Sequence, residues 1–291
     1  MSRKKRRYNL YRDPIFLRYF NRLFEIATSR FKWENLPPTL DERFLEVTLF
    51  NDGQALFFED EVLGYLALQT MIGGELTVYR VPKIRTAFAT NGYQKVCSEK
   101  DSVIIYNNYA RTNDVIAIEQ YAITLTELER TYVINCKAQK TPILLQGTDK
   151  QMISLANVYE MYEGNAPVLF KDTNNLGDQP IRAITTGAPF VADKIYDMKT
   201  KVWNEALTYL GIPNISETKK ERMIVDEVER QNGGTLASRN SALEMRRQAC
   251  TKIKEMFGVE ITVDFRDGVS EFRHLNNNED GVKDGDGNDN L

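Results

Sequence analysis

The amino-acid sequence predicts an α+β fold in which long helices flank a small β region. Residues 114–139 form the longest stretch with apolar side chains at alternating spacings of three and four, which is typical of an amphipathic helix. Between about 75 and 110 the pattern changes to short alternating stretches broken by turn residues such as Asn91-Gly92, which indicates strands. The segment 141–187 mixes both patterns. Helices and strands thus occupy separate regions, as expected of an α+β protein.

The first helix is predicted by the stretch DPIFLRYFNRLFEIATSRF. Asp13 can cap its N-terminus, and Pro14 suits the first helical position because its missing N–H would be unpaired there anyway. The prolines of WENLPPTL then end the helix. Residues 41–72 predict a second helix and an apolar segment, which ends in a turn at Gly73-Gly74.

Two long helices are predicted on either side of the mixed segment. At 1.5 Å per residue, the stretch 114–139 would form a helix roughly 39 Å long. Within 141–187, TPILLQG and APVLFKD predict strands, and MISLANVYEMY predicts a short helix between them. The second long helix is expected to run from Asp193 to a stop at Gly211.

The C-terminal third contains both charged and apolar stretches. Residues 216–234 are mostly charged and end in Gly233-Gly234, so we expect a mobile excursion that closes in a turn. SALEMRRQACTKIKEMFG predicts a further helix, and VEITVDFR predicts a strand that packs back on the β region. From Asn276 onward the chain has almost nothing to bury and is expected to be disordered.

Residue types needed for several chemistries are scarce. The one histidine, His274, argues against His-based metal sites and against Ser-His-Asp or Cys-His catalysis. No G-x-x-x-x-G-K-[ST] motif is present, so a standard phosphate loop is not expected. The three cysteines lack close spacing, and the apolar runs are too short to span a bilayer. We therefore expect no enzymatic activity, no cofactor, no bound metal and no membrane association.

Two weaker metal hypotheses remain. The tail sequence KDGDGNDN is similar to the start of a calcium loop, but no bidentate glutamate follows it. The carboxylates Asp226, Glu227 and Glu229 are of the kind that a two-metal nuclease uses, although acidic helix faces are usually just solvated.

Charge is distributed unevenly along the chain. The tip SRKKRRY places five cations in consecutive positions: Arg3, Lys4, Lys5, Arg6 and Arg7. Residues 1–35 carry ten basic and three acidic residues, a net of +7, whereas the remainder carries 28 basic and 38 acidic residues, a net of -10. A basic arm on an acidic body predicts that the arm binds an anionic partner which the body avoids.

Several stretches together identify a family. Seven of them resemble, in order and spacing, the portal proteins (upper collar or head–tail connector proteins) of phi-29-like podoviruses: FKWENLPPT, VIIYNN, AQKTPILL, YEGNAPVLF, APFVADK, VWNEALTYLGI and KKERMIVDEV. The match covers about residues 30 to 266 and includes unusual strings such as YEGNAP and KKERM. Seven collinear matches are far harder to obtain by chance than one short motif.

The resemblance implies a portal-type subunit with long stem helices, a wing containing a small SH3-like β-barrel, and an α/β clip. Transferred to this chain, it divides the sequence as follows: 1–12 basic N-terminal arm, 13–113 wing, 114–140 stem helix, 141–187 clip, 188–212 stem helix, 213–234 channel loop, 235–272 wing helix and strand, and 273–291 disordered acidic tail.

The resemblance also implies a set of partners. Twelve copies would form a ring at one capsid vertex, with double-stranded DNA passing through a central channel during packaging and ejection. Because the chain lacks a phosphate loop, the packaging ATPase would be a separate protein. Major capsid and scaffolding proteins would support assembly, and a lower collar or tail protein would dock later. The protein would be made in the host cytoplasm and end in the virion.

Individual site residues follow from matched positions. Lys194 in VADK corresponds to a channel lysine of the family, and Lys219 in KKERM, with Lys220 beside it, to a loop lysine. A second channel lysine of the family falls on Thr185 here, and Arg182 lies three residues earlier. In the family the basic arm contacts a packaging RNA. For Arg3–Arg7 we expect the same kind of nucleic-acid contact, with capsid protein or DNA as alternatives.

Other classes of protein remain as alternatives. A DNA-end-binding or priming protein would also be basic at one end and lack a phosphate loop, but it would need an activated hydroxyl, and nothing marks Ser216 or Thr218 as one. A carboxylate-metal nuclease is the enzymatic alternative. A ring would exclude the first, and absence of magnesium-dependent cleavage would exclude the second.

Overall fold

The computed structural model of the chain describes residues 10–139, 143–147, 168–172, 181–183, 189–214 and 225–266. The helices are α1 (Pro14–Ser29), α2 (Glu42–Asp52), α3 (Val115–Ala138), α4 (Ala192–Tyr209) and α5 (Val225–Phe257). The strands are β1 (Phe31–Glu34), β2 (Gln54–Asp60), β3 (Gly64–Leu76), β4 (Pro82–Phe88), β5 (Gln94–Ser98), β6 (Ser102–Tyr106), β7 (Ile143–Gly147), β8 (Val168–Asp172), β9 (Ile181–Ala183) and β10 (Thr262–Phe265). Within the described ranges, no helix unites the length and apolar character needed to span a bilayer.

The chain forms two compact units. Unit 1 comprises Met1–Tyr19 and Tyr121–Asn204, and unit 2 comprises Phe20–Gln120 and Glu205–Leu291. Helices and strands occur in both, so the α+β class predicted from the sequence is confirmed. Both long helices predicted around the mixed segment are present as α3 and α4.

Unit 2 contains a five-stranded antiparallel sheet with the order β5-β4-β3-β2-β6. Its two edge strands follow each other in the chain and are separated only by residues 99–101. A flat sheet of this size would be roughly 19 Å across, which is farther than so short a connection reaches. The sheet must therefore curl until its edges approach. The β region predicted from about residue 75 is real, but it begins earlier, at Gln54.

The turn predicted at Gly73-Gly74 is wrong, because both glycines lie within β3. The register of β3 against β4 shifts between Gly73 and Leu76, and Gly74 has a φ of 81°. The glycines thus form a β-bulge, in which one residue adopts a conformation that side chains disfavour. The chain reverses only after Leu76, where the Arg80 N–H donates to the carbonyl of Thr77.

The predicted C-terminal strand is present as β10, but its expected partner is wrong. Instead of joining the five-stranded sheet, β10 pairs antiparallel with β1, with Phe31 opposite Phe265 and Trp33 opposite Val263. These four side chains are buried, while those between them are exposed. The first helix, predicted to reach Phe31, ends at Ser29, and the four residues of β1 are too few for a strand pattern to stand out in the sequence.

The turn predicted at Gly233-Gly234 is also wrong, because α5 continues through both residues. Of the stretch 216–234 expected to be a mobile excursion, 225–234 is helical and 216–224 lies outside the described residues. Two glycines weaken a helix by about 2 kcal/mol. The later turns of α5 bury Ala242, Ala249 and Ile253 in the core of unit 2, and this packing outweighs the local preference.

The core of unit 2 lies between the five-stranded sheet, the β1–β10 pair and the helices α2 and α5. Its large buried members come from all four elements: Phe31, Trp33, Leu45, Leu49, Phe57, Val103, Ile105, Ile253 and Val263. A second cluster on the other face of the sheet contains Leu56, Phe58, Ala87, Cys97 and Ile104. Both faces of β2 are therefore buried, which explains the continuous apolar run ALFF.

A buried arginine crosses this core. Arg246 of α5 is 0% exposed and donates to both carboxylate oxygens of Glu46, from Nε at 2.9 Å and from Nη2 at 2.8 Å. Its remaining hydrogens reach the carbonyl oxygens of Asn107 and Ala242 and the side-chain oxygen of Asn107. The Trp33 indole N–H donates to the same Glu46 at 2.8 Å. The ion pair is thus desolvated and fully hydrogen-bonded.

A second buried pair stabilises unit 2 near the end of α4. Arg30 donates to Asp114 at 2.6 Å and to the carbonyl of Leu210 at 3.2 Å, and the Tyr209 hydroxyl donates to the other oxygen of Asp114. Gly211 then ends the helix with a φ of 75°, as the sequence predicted.

In unit 1, the described strands of the mixed segment form a three-stranded sheet with the order β8-β7-β9. β7 and β8 are parallel, whereas β7 and β9 are antiparallel. The strands predicted at TPILLQG and APVLFKD are confirmed, while the helix predicted at MISLANVYEMY lies outside the described residues.

Candidate functional site

Few of the predicted site residues lie within the described residues. Lys194 lies in the first turn of α4 with an exposed side chain, and Arg182 is the central residue of β9. The arm Arg3–Arg7 and the loop residues Lys219 and Lys220 lie outside the described residues, as does Thr185.

The start of α4 is held by a side chain from α3. The amide of Asn135 donates to the carbonyl of Pro189 at 2.9 Å, and its oxygen accepts the N–H of Val191 at 3.1 Å. Ala192 and Ile195 are buried directly beyond this contact. Asn135 thus fixes the first turn of α4, which in turn leaves Lys194 pointing into solvent.

One face of α4 is exposed and carries alternating charges. At 100° per residue its members fall within one side of the helix: Lys194, Asp197, Met198, Lys201 and Glu205, all exposed. Lys194 and Lys201 lie seven residues apart, which is about 10.5 Å along the helix axis. The two lysines are balanced by two carboxylates, so this face offers isolated cations rather than a dense basic patch.

A third lysine of α4 has a different environment. Lys199 donates to Glu129 of α3 at 2.9 Å and lies 4.8 Å from the ring centre of Tyr196. Glu129 also accepts from the Tyr19 hydroxyl at 2.9 Å and pairs with Arg18 at 3.2 Å. The hydrogen bond from Lys199, followed by those from Tyr19 and Arg18, lowers the pKa of the Glu129 carboxyl. Lys199 therefore joins helices and is not available as a surface cation.

Sequence reasoning missed this cluster and the Asn135 contact. The spacing of Tyr196 and Lys199 on one helix gives no sign of a carboxylate on another helix. Lys199 also looks identical to Lys194 and Lys201 in the sequence, and only the packing of α4 against α3 separates it from them.

The described residues contain no group of three or more His, Cys, Asp or Glu side chains placed to hold a metal ion. Asp226, Glu227 and Glu229, considered above for a nuclease, fall in α5. Cys97 and Cys250 are buried free thiols, and burial raises the pKa of Cys250 to about 11.

Comparison with solved structures finds similar folds in phage particles. A chain from the structure of the portal and tail of native bacteriophage P68 is similar over 96% of both chains, at 18% identity and a TM-score of 0.51. An HK97 family phage portal protein from Corynebacterium diphtheriae is similar over 92% of this chain and 97% of its own, at 9% identity and a TM-score of 0.42.

Comparison with protein families gives a match over nearly the whole chain. The sequence profile of the family described as Phage Connector (GP10) matches residues 1–270. This range contains all seven stretches that suggested a head–tail connector, together with α1 to α5 and every described strand. The chain belongs to the phage connector family.

Proposed function

We propose that this connector forms a dodecameric ring at one vertex of the capsid, and that double-stranded DNA passes through the ring during packaging and ejection. The observation that carries the proposal is the family match over residues 1–270. The portal-like fold, which extends over 96% of the chain, supports it. In the virion the ring joins the head to a lower collar or tail protein.

The exposed face of α4 is proposed to line the channel. With twelve copies, Lys194 and Lys201 would each form a ring of twelve cations, and the two rings would be about 10.5 Å apart along the helix axis. The body beyond residue 35 carries a net charge of -10, or about -120 for twelve copies. Such a body repels phosphates, while spaced lysines make weak repeated contacts, so DNA slides rather than sticks. Arg182, Lys219 and Lys220 are proposed as further channel cations.

The basic arm is proposed to recruit nucleic acid outside the channel. Twelve copies of Arg3–Arg7 would bring 60 positive charges to one rim. Each phosphate that such charges neutralise releases counterions, which gives strong and salt-sensitive binding. A packaging RNA that joins the ring to a separate packaging ATPase fits this chemistry. Capsid and scaffolding proteins are the proposed assembly partners.

The first experiment measures the mass of the purified protein by light scattering, with negative-stain images of the same sample. Twelve copies of a 33.5 kDa chain have a mass of about 400 kDa, and the images should show rings with a central hole. A chain that stays monomeric with capsid and scaffolding proteins present would contradict the ring and would favour a DNA-end-binding protein.

A second experiment tests the channel face. Replacing Lys194 and Lys201 together by glutamine should leave ring assembly intact but reduce the fraction of packaged DNA retained in the head. Lys100→Gln, at an exposed position in the turn after β5, is the matched control and should change neither quantity. Equal retention in both variants would show that the lysines of α4 do not contact DNA.

A further inference from the structure

Among the described residues of unit 2, three arginines are almost completely buried, and two of these form an ion pair with a described carboxylate. Arg246 pairs with Glu46, and Arg30 pairs with Asp114. Arg85 of β4 is 6% exposed, and no carboxylate among the described residues lies within ion-pair distance of it. A buried cation without a counter-charge is costly, so its retention calls for an explanation.

The hydrogen bonds of Arg85 use only part of its guanidinium. Nε donates to the carbonyl of Pro82 at 3.1 Å, and Nη1 donates to the carbonyl and hydroxyl oxygens of Ser102. Nη2 makes no hydrogen bond within the described part of the chain. The neutral partners connect β4 to the start of β6 but carry no charge, and Glu99 and Asp101 offset the charge of Arg85 only through attraction at longer range. Burial accordingly lowers the pKa of Arg85.

Arg85 lines a cavity of about 460 Å³ beside β6 and α5. Ile104 and Met256 contribute apolar wall, and two exposed cations, Arg111 and Lys252, lie at the rim. The guanidinium of Arg111 stacks 4.5 Å from the ring centre of Tyr106, which leaves its charge without a carboxylate partner among the described residues. The cavity thus combines apolar surface with three cations that form no ion pair within the described part of the chain, in a volume typical of ligand pockets.

We propose that this cavity, the Arg85 pocket, binds an acidic peptide segment of a partner protein. One carboxylate of the segment lies against Arg85, and an adjacent apolar side chain packs on Ile104 and Met256. A carboxylate can accept from Nη2 in the planar geometry that guanidinium groups favour, with Arg111 and Lys252 adding attraction at the rim.

The net charge of the groups that line the pocket also argues against phosphate as the natural occupant. Glu99 and Glu255 line the same cavity, so its five charged groups sum to only +1. Nucleic-acid sites neutralise several phosphates on an open basic surface, whereas this pocket is partly apolar and nearly neutral. A singly charged carboxylate beside an apolar group matches the small net charge and the apolar surface of the pocket better than a doubly charged phosphate. The inference does not depend on the proposed DNA channel.

Saturation-transfer NMR on the full-length protein tests the pocket, because it detects weak ligands best when the receptor is large. The probes are N-acetyl-Asp-Leu-amide and its uncharged counterpart N-acetyl-Asn-Leu-amide. The aspartyl peptide should bind with a Kd below about 10 mM. The asparaginyl peptide should bind about tenfold more weakly, because it lacks the charge-assisted hydrogen bond.

Variants localise the binding. Arg85→Gln should abolish binding of the aspartyl peptide. Because Arg85 also connects two strands, this change could act through the fold, and the exposed variants Arg111→Gln and Lys252→Gln provide tests that leave the fold intact. Each should weaken the aspartyl peptide about threefold or more, while Lys201→Gln in unit 1 should not change it. Equal binding of the two peptides, binding of neither, or unchanged affinity in both rim variants would overturn the proposal. Tighter binding of inorganic phosphate than of the aspartyl peptide would make the pocket a phosphate site and would also overturn it.

Discussion

Replacing Glu46 by glutamine is expected to destabilise unit 2 severely, although the change removes no volume. One oxygen of Glu46 accepts from both Trp33 and Arg246, and the other accepts from Arg246 alone. Glutamine retains one of these acceptors and replaces the other by an amide that faces a donor. Arg246, which is 0% exposed, then keeps its charge without an anion. Breaking one side of a buried pair costs about 3–5 kcal/mol.

The assay is urea unfolding at a fixed protein concentration, which matters because ring assembly would add to the apparent stability. Replacing Trp203 by phenylalanine leaves Trp33, in the core of unit 2, as the one tryptophan that reports unfolding. Glu260→Gln is the matched control. Its carboxylate pairs with Lys254 at the surface, where water screens the attraction, so this change should affect unfolding little.

A double-mutant cycle separates the ion pair from general disruption. Arg246→Met should cost about as much as Glu46→Gln, because it leaves the carboxylate buried and unpaired. Combining Arg246→Met with Glu46→Gln should cost clearly less than the two single changes added together, because neither partner then leaves a buried charge unpaired. Additive losses within about 0.5 kcal/mol, or a Glu46→Gln loss no larger than that of Glu260→Gln, would refute the reasoning.

Three further predictions concern local features. In the same urea assay, Gly211→Ala should destabilise the protein by more than about 2 kcal/mol, because φ is positive there and a Cβ would lie 2.7 Å from the backbone of α5. Gly233→Ala should instead stabilise it by about 0.5–1 kcal/mol, because a Cβ at that helical position meets no atom within 4 Å. Tyr93→Phe should make the stability of the protein less sensitive to acid. The Tyr93 hydroxyl, ahead of two backbone N–H groups, lowers the pKa of Asp60 to about 2, so the stability that this carboxylate contributes above pH 4 is lost as the pH falls toward 2. The difference in unfolding free energy between wild type and variant should therefore narrow over that pH range. Glu129→Gln should cost about 1–2 kcal/mol, seen as faster hydrogen exchange in α4, because three donors lose a charged acceptor.

Controls for these predictions lie close by in the structure. Glu127→Gln removes an exposed carboxylate two residues from Glu129 and should change hydrogen exchange little. Equal exchange rates in the two variants would show that the Glu129 cluster contributes nothing. A destabilising Gly233→Ala would mean that α5 needs glycine there for contacts beyond the described residues. An unchanged acid transition in Tyr93→Phe would indicate that the backbone donors alone control Asp60.

The elements predicted well from the sequence are those whose signals are local. The helices α3 and α4 follow from apolar periodicity, and the stop at Gly211 follows from glycine's tolerance of positive φ. Lys194 was singled out by its matched position, and it lies in the first turn of the helix predicted from Asp193. Family membership could be recognised because several short matches kept their order.

What the sequence did not reveal depends on contacts between distant residues. No local pattern indicates that FKWE is a strand, because it becomes one only when β10 arrives beside it. The glycine pair in α5 looks like a turn until the core contacts of the later turns are known. Arg30, Arg85 and Arg246 cannot be told from surface arginines by sequence, since burial and partner are properties of the packed unit. Lys199 likewise cannot be told from the exposed lysines of α4 by sequence, since its carboxylate partner lies on another helix.

The pairing of β1 with β10 has a consequence for how the chain is synthesised. About 230 residues separate the two strands, and all of unit 1 beyond residue 120 is translated between them. At roughly 5–20 residues per second, β1 waits about 10–50 s on the ribosome before its partner exists. During that interval its backbone groups can pair with any other strand edge, including those of neighbouring nascent chains. Unit 2 can therefore complete its fold only after β10 has been translated, and slower synthesis prolongs the period in which misassembly competes with folding.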